Sequence, residues 1–146
     1  MTRLRRRGFT IAELAFVIAV MAIITSLTVP ALEVLVRRAR ADEARITLAA
    51  ISDCELQHFR DTGKFLACPA TGDVPRGTAT PFVGTECWKE LGLTIEGDVR
   101  FRYAVEVSEP TGFTVVAEGD LDADGVTSSY RLDGRSQALT IKEALE

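Results

Sequence analysis

The hydrophobic pattern at the start of the chain predicts a long membrane-spanning helix. From Phe9 to Leu32 nearly every residue is apolar or small, and the single charged residue is Glu13. A helix over residues 9–32 is about 36 Å long at about 1.5 Å per residue, which exceeds the ~30 Å apolar core of a bilayer. A carboxylate is costly inside such a segment, so Glu13 needs a partner for its charge.

The pattern after this segment predicts that the helix continues in amphipathic form over residues 33–62. This part is rich in Ala, Leu, Arg and Glu, and Gly63 marks its end. The apolar residues that fall broadly on one side of it are Leu48, Ile51, Cys54 and Phe59. A helix with one apolar side is expected to lie on a sheet.

The remaining pattern, over residues 63–146, predicts a globular domain built on an antiparallel sheet. In "VRFRYAVEV", residues 99–107, apolar side chains alternate with polar or small ones, which is typical of a strand with one buried face. We expect Arg100 and Arg102 on its solvated outer face. "SEPTG" predicts a turn, "FTVVAEG" a second strand, and "SSYRL" and "QALTI" further strands. The predicted fold class is α+β, with a long N-terminal helix packed on a small antiparallel sheet.

The charge distribution separates a basic N-terminus from an acidic body. Of 17 basic residues, four arginines lie in the first eight positions, where no acidic residue occurs. The rest of the chain holds 13 basic residues against 21 acidic ones, a net charge of −8. An acidic body does not favour nucleic acid as a partner. Basic residues before an apolar segment favour a cytoplasmic N-terminus.

The sequence contains no motif that predicts catalysis. His58 is the only histidine, and no motif pairs it with a nucleophile or a second titratable group. No CxxC or His-rich tract is present, so a zinc site is not expected. Trp88, in "ECWKELGL", is predicted to be a packing residue. We therefore expect a protein that is not an enzyme and requires no cofactor, with calcium as the one open exception.

Three cysteines, Cys54, Cys68 and Cys87, predict one disulfide and one spare thiol if the protein is exported. The stretch from Lys64 to Pro81 carries several turn signals and is long for a loop in a compact domain. Cys68 and Cys87 bracket it, and we favour a bridge between them. A Cys54–Cys68 bridge is the alternative, and the spacing alone does not decide between the two pairings.

The segment "GDLDADG" contains half of a calcium-loop pattern. Asp120, Asp122 and Asp124, followed by Gly125, match the first positions of such a loop. The glutamate that closes the pattern at the twelfth position is absent, and Arg131 stands there. Two interpretations stay open: a weak calcium site suited to millimolar calcium outside the cell, and an Asp-rich turn whose side chains accept hydrogen bonds from backbone amides.

The apolar segment itself has three interpretations. It is a permanent single-span anchor, or it is an ordinary signal peptide cut after Ala31, which ends the small-residue pattern "VPA". The second interpretation leaves Glu13 inside an apolar core that should be uncharged. The third begins with a resemblance: "RRRGFTIAELAFVIAVMAIITSLTVPAL", residues 5–32, is similar to the N-terminus of type IV prepilins.

In that family a short basic leader ends in Gly, and a dedicated membrane peptidase cuts after it and methylates the new N-terminal Phe. The resemblance places the cut between Gly8 and Phe9, so that residues 1–8 are the leader and Phe9 is N-methylated. The family has a Glu fifth and a Pro twenty-second after the cut, and here these are Glu13 and Pro30. The aromatic and Asp-rich pattern of the body resembles type IVa-like pilins more loosely.

The resemblance implies a structural subunit of a type IV pilus. The helix over residues 9–32 would hold the precursor in the bacterial inner membrane and then pack against copies of itself in an extracellular filament used for motility, adhesion or DNA uptake. The implied partners are the prepilin peptidase and the pilus assembly machinery. A minor pilin or a type II secretion pseudopilin is the alternative within the family. A membrane-tethered, calcium-dependent binding domain is the alternative outside it.

The cut would supply the partner that Glu13 lacks. It frees a positive α-amino group on Phe9, four residues away on the same helix face, and Glu13 can pair with that amine or with the amine of a neighbouring subunit. An unpaired charge in a low-dielectric site is expensive, so such a pair would set the axial register between helices. Pro30 has no N–H and predicts a kink, with hydroxyl groups in the preceding turn available to the freed carbonyls.

Overall fold

The computed structural model of the chain describes residues 9–108 and 112–142 and has an α+β architecture. The predicted class, a long N-terminal helix together with antiparallel strands, is confirmed. The chain divides into two compact units, Met1–Val36 and Arg37–Glu146. The predicted leader, residues 1–8, lies outside the described residues.

The first unit is the apolar beginning of helix α1, which runs over Ile11–Thr62 and continues in helical conformation through Pro30. Within it, Ile11–Val29 comprises 19 residues with a mean hydropathy of 2.2, long and apolar enough to cross a membrane. Every side chain from position 9 to position 29 is exposed, so this segment has no core of its own.

Three hydroxyl groups of the apolar segment donate hydrogen bonds to carbonyl groups one turn earlier. Thr25 bonds to the Met21 carbonyl, Ser26 to that of Ile23 and Thr28 to that of Ile24, each at 2.8 Å. An apolar medium offers a hydroxyl group no other partner, so these bonds remove the cost of placing it there.

The second unit begins within the same helix, whose later turns carry a narrow buried face. The buried residues of this face, which recur every three or four positions as an α-helical stripe does, are Ala41, Ala44, Leu48 and Ile51. The helix ends at Thr62, where Gly63 takes a left-handed conformation with φ of 76°. Its N–H donates to the Phe59 carbonyl at 2.8 Å, a common way of closing a helix with glycine.

Two short strands and a short helix precede the main sheet. Strand β1, Thr80–Pro81, pairs antiparallel with β2, Asp98–Val99, and helix α2, Glu86–Glu90, lies between them in the chain. The predicted single strand over residues 99–107 is therefore divided between two sheets. The break coincides with a contact to α1, because the Arg100 N–H donates to a carboxylate oxygen of Glu43 at 2.8 Å instead of joining a strand ladder.

The main sheet is a four-stranded antiparallel meander. Its strands are β3, Arg102–Ser108; β4, Gly112–Gly119; β5, Ser128–Asp133; and β6, Leu139–Lys142. Strand β4 is central, and its Val115 lies opposite Val105 of β3 and Leu132 of β5. The two further strands predicted from "SSYRL" and "QALTI" are thus present.

The core of the second unit joins the buried face of α1 to the sheet and to the loop before it. Trp88 is 1% exposed, with its ring edge-on to Phe82 at a centroid distance of 5.7 Å. Phe101 meets Tyr130 in the same manner at 5.5 Å. At Gly119 any side chain would collide with its surroundings, because a Cβ atom there would lie 2.5 Å from the Arg100 carbonyl oxygen.

Arg100 and Arg102, expected on the solvated outer face, are partly exposed and in addition form ion pairs. Arg100 forms an ion pair with Glu43 of α1 at 3.3 Å, and the Arg102 guanidinium pairs with Glu118 of β4 at 2.5 Å. The two arginine side chains are 36% and 28% exposed. Strand alternation in the sequence identifies the side on which a residue lies but not the carboxylates that other elements bring there.

Candidate assembly helix and candidate cation loop

Thr10 and Glu13 form a reciprocal cap at the beginning of α1. The N–H and the Oγ1 hydroxyl of Thr10 both donate to Glu13 Oε2, at 2.8 and 2.9 Å. In return, the Glu13 N–H donates to Thr10 Oγ1 at 3.2 Å. Because Ile11 is the first helical residue, Thr10 and Glu13 hold the two positions of a capping box. A carboxylate in the first turn also interacts favourably with the helix dipole.

The sequence carries a signal for this cap that the prediction of an amine partner overlooks. "TIAE" places Thr three residues before Glu at the start of an apolar run, which is the pattern of a capping box. Phe9 is 78% exposed next to the cap, while Gly8 lies outside the described residues. Thr10 therefore supplies two hydrogen-bond donors to Glu13 Oε2 that the amine-partner prediction does not include.

The segment Ile11–Val29 presents large apolar side chains to its surroundings along its whole length. Ile11 is 89% exposed at one end and Leu27 is 71% exposed near the other. Soluble monomeric proteins rarely expose continuous apolar surface on this scale, so the segment requires lipid or the apolar surfaces of other chains. By length and composition, one such helix near the N-terminus fits a membrane anchor or a signal sequence.

A disulfide joins Cys68 and Cys87, whose Cα atoms are 5.7 Å apart, and Cys54 is a free, half-buried thiol. Of the two pairings that the sequence left open, the structure has the one that brackets the long loop. We call residues 69–86 the stapled loop. Its beginning is anchored to the main sheet, because the Cys68 N–H and carbonyl bond to the main chain of Val105 at 3.1 and 2.7 Å.

Residues 120–126 form what we call the aspartate loop, in which three carboxylates converge. Asp120, Asp122 and Asp124 each place one carboxylate oxygen within 4.8 Å of the other two. Asp122 and Asp124 are exposed, whereas Asp120 is 2% exposed. Arg131, at the position where a calcium loop would carry its closing glutamate, forms an ion pair with Glu106 instead.

Part of this carboxylate cluster acts as an Asp-rich turn does. Asp120 Oδ2 accepts the Gly125 N–H at 3.1 Å, and Asp124 Oδ1 accepts the Val126 N–H at 2.7 Å. Asp120 Oδ1 is different, since it is buried and has no hydrogen-bond partner in the part of the chain that the structure describes. Turn capping therefore explains only some of the carboxylate oxygens.

The aspartate loop is joined through its main chain to the stapled loop and to α1. The Asp120 N–H donates to the Pro75 carbonyl at 3.0 Å, and the Asp120 carbonyl accepts the Gly77 N–H at 2.7 Å. The next carbonyl, that of Leu121, accepts a hydrogen bond from Arg40 of α1 at 3.3 Å. The conformation at Asp120 thus positions the middle of the stapled loop.

Two titratable groups near the end of α1, Glu55 and Cys54, are shielded from solvent to different degrees. Glu55 is fully buried, and its two carboxylate oxygens accept the Leu66 N–H at 3.2 and 3.3 Å. Burial raises the pKa of Glu55, against the opposing effects of this hydrogen bond and of nearby His58. Burial also raises the pKa of the Cys54 thiol, which keeps it protonated and weakly nucleophilic at neutral pH.

Comparison with known proteins finds no family model, no curated protein and no solved structure that matches this chain. The resemblance to type IV prepilins therefore depends on residues 5–32 and, more loosely, on the pattern of the body. At a coarser level, the N-terminal apolar helix and the disulfide fit a pilin-like architecture.

Proposed function

We propose that this chain is a structural subunit of a type IV pilus that polymerises through its N-terminal helix into an extracellular filament. In this proposal the prepilin peptidase removes residues 1–8, and the precursor waits in the inner membrane until the assembly machinery extracts it. The filament then serves motility, adhesion or DNA uptake.

One observation carries the proposal: a 19-residue apolar segment of α1, whose side chains are all exposed, holds a capped carboxylate in its first turn, shortly after the predicted cut. A membrane anchor needs the apolar length but not the carboxylate. A helix that leaves the bilayer and packs against copies of itself uses both, because the charge fixes its register along its neighbours. The second unit has its own core and can be displayed outside the bundle of helices.

The central experiment compares Glu13→Ala with Thr10→Ala in filament-producing cells, from which the filaments are sheared and quantified. Both substitutions break the capping box, but only Glu13→Ala removes the carboxylate. We expect both precursors to be cut, Glu13→Ala to abolish filaments, and Thr10→Ala to retain most of them. Normal filaments from Glu13→Ala would overturn the assembly role. An equal loss of filaments in both variants would mean that Glu13 acts only as a helix cap.

Mass spectrometry of the mature protein tests the processing step independently. The proposal requires a chain that begins at an N-methylated Phe9. A mature chain beginning at Met1 would indicate a permanent anchor, and one beginning at Leu32 an ordinary signal peptide.

The abundance of the chain in sheared filaments separates the members of this class. A major pilin forms the bulk of the filament, whereas a minor pilin or a type II secretion pseudopilin contributes trace amounts. A chain that stays in the membrane fraction as a monomer, with no filaments, would favour the tethered binding domain instead.

A further inference from the structure

We propose that the aspartate loop binds Ca²⁺ through Asp120, Asp122 and Asp124, and that the bound ion holds the stapled loop closed against the sheet. This site does not depend on the proposed pilus function, because it lies within the second unit and uses no residue of the apolar segment.

The buried oxygen of Asp120 is the observation that points to a ligand. A buried carboxylate oxygen without a hydrogen-bond partner is costly, and the cost disappears when a cation coordinates it. Asp120 Oδ1 has no partner among the described residues, yet it belongs to the residue that opens the three-carboxylate cluster. The exposed Asp122 and Asp124 give an ion access from solvent.

The ligand chemistry favours Ca²⁺ over other ions. Three carboxylates provide oxygen ligands alone, which suit hard cations, and their alternate spacing with Gly125 following matches the beginning of a calcium loop. Calcium takes six to eight oxygen ligands in flexible geometry, so main-chain carbonyls and water must supply the remainder. Mg²⁺ demands a more regular octahedron and should bind more weakly. Without a closing glutamate, we expect an affinity of about 10⁻⁴–10⁻³ M, as in extracellular calcium modules.

The connection from the ion to the stapled loop runs through the main chain of Asp120. Its N–H and carbonyl bond to Pro75 and Gly77 on either side of Arg76. Gly77 also lies close to the aspartate loop, since a Cβ atom there would be 3.2 Å from the Ala123 Cβ. An ion that fixes the Asp120 side chain therefore also holds in place the Asp120 main-chain groups to which Pro75 and Gly77 bond.

Arg76 makes the coupling measurable. It is exposed at the centre of the stapled loop, and trypsin can cut after it only when the main-chain bonds on both sides open. Arg135, exposed in the turn between β5 and β6, supplies a second trypsin site away from the aspartate loop. The ratio of cutting at Arg76 to cutting at Arg135 corrects for any effect of calcium on the protease.

The experiment uses the full chain in detergent, freed of metal and then titrated with CaCl₂ to 10 mM, with MgCl₂ as a comparison. We expect Ca²⁺ to raise the Tm and, at about ten times the Kd, to lower the Arg76 to Arg135 cutting ratio about tenfold. The variant that tests the site is Asp122→Asn with Asp124→Asn, because both residues are exposed and the fold does not depend on burying them. Asp98→Asn, which changes an exposed carboxylate in β2, is the matched control.

The expected result is a calcium response in the natural chain and in Asp98→Asn that is absent from the double variant. The calcium site would be overturned if 10 mM Ca²⁺ left both the Tm and the cutting ratio unchanged. It would also be overturned if the double variant kept the calcium response. A rise in Tm with an unchanged cutting ratio would overturn the coupling to the stapled loop. The pilus proposal survives each of these failures, since it is tested by Glu13 and by the mature N-terminus.

Discussion

The apolar segment Ile11–Val29 exposes every side chain, whereas the unit that begins at Arg37 buries Leu48, Phe101 and Trp88 in a core of its own. Both stretches are rich in apolar residues, yet only in the second do these residues contact one another across different elements. The comparison shows that hydrophobicity stabilises the two units through different partners. The second unit folds around itself, and the first depends on lipid or on other chains.

The largest expected difference between the two units comes from removing one buried leucine. Leu48→Ala deletes a fully buried side chain of α1 and should lower the free energy of unfolding of the second unit by about 2–5 kcal/mol. Leu27→Ala, a matched change in the apolar segment where Leu27 is 71% exposed, should leave that free energy unchanged. Urea unfolding of the full chain in detergent, followed by the fluorescence of its single tryptophan, Trp88, measures both. Similar losses of unfolding free energy in the two variants would contradict the expected difference between the two units.

The disulfide should contribute nearly as much to the second unit. It closes a loop with a sequence separation of 19 residues, for which chain entropy gives a stabilisation of about 3 kcal/mol. Replacing both Cys68 and Cys87 by Ser should therefore cost about that amount, while Cys54→Ser, which leaves the bridge intact, should cost about 1 kcal/mol or less because Cys54 is only half-buried. The same unfolding experiment decides, and a double variant as stable as Cys54→Ser would contradict the prediction.

A smaller effect should come from the ion pair between α1 and the chain leading into β3. Glu43→Gln weakens the bonds to Arg100 and should cost about 1 kcal/mol, since the two side chains are about one third exposed and solvent screens their charges. Glu86→Gln, in the more exposed pair with Lys89, should have no measurable effect. Added salt should reduce the loss in free energy of unfolding that Glu43→Gln causes. A loss that does not change with salt would argue against an ion pair.

The smallest expected effect is on the pH dependence of stability. Because burial raises the pKa of Glu55 above its ordinary value of 4.5, the folded protein binds this proton more tightly than the unfolded chain does. The contribution of Glu55 is therefore full below that ordinary value and is lost as the pH rises through the raised folded pKa. Glu55→Gln keeps an acceptor for the Leu66 N–H and should flatten this decline in thermal unfolding measured from pH 4 to pH 8. If the loss of stability with rising pH persists unchanged in Glu55→Gln, it arises from titratable groups other than Glu55.

The periodic features of the fold were predictable from the sequence, and the pairings between distant residues were not. The apolar run predicts the first part of α1, and alternation predicts the strands from β3 onward, because each pattern needs only local residues. The break between Val99 and Arg102 depends on Glu43, which is far away in sequence. No local pattern records which carboxylate will meet the Arg100 N–H.

The candidate sites divide in the same way. "DLDADG" identifies the three aspartates, and "TIAE" contains the cap on Glu13, since both depend on spacing within one segment. The bonds from Asp120 to Pro75 and Gly77 cross about 45 residues of chain, and only the folded sheet brings them together. The sequence could therefore indicate a cation loop but not what that loop holds in place.

Gly119, at the end of β4, sets a limit on how this protein can change over evolutionary time. A Cβ atom there would lie 2.5 Å from the Arg100 carbonyl oxygen, an atom of the main chain that cannot rotate out of the way. This position admits no other residue unless the break before β3 is rebuilt with it. In a library of random variants selected for folding, substitutions at Gly119 should be among the first to disappear.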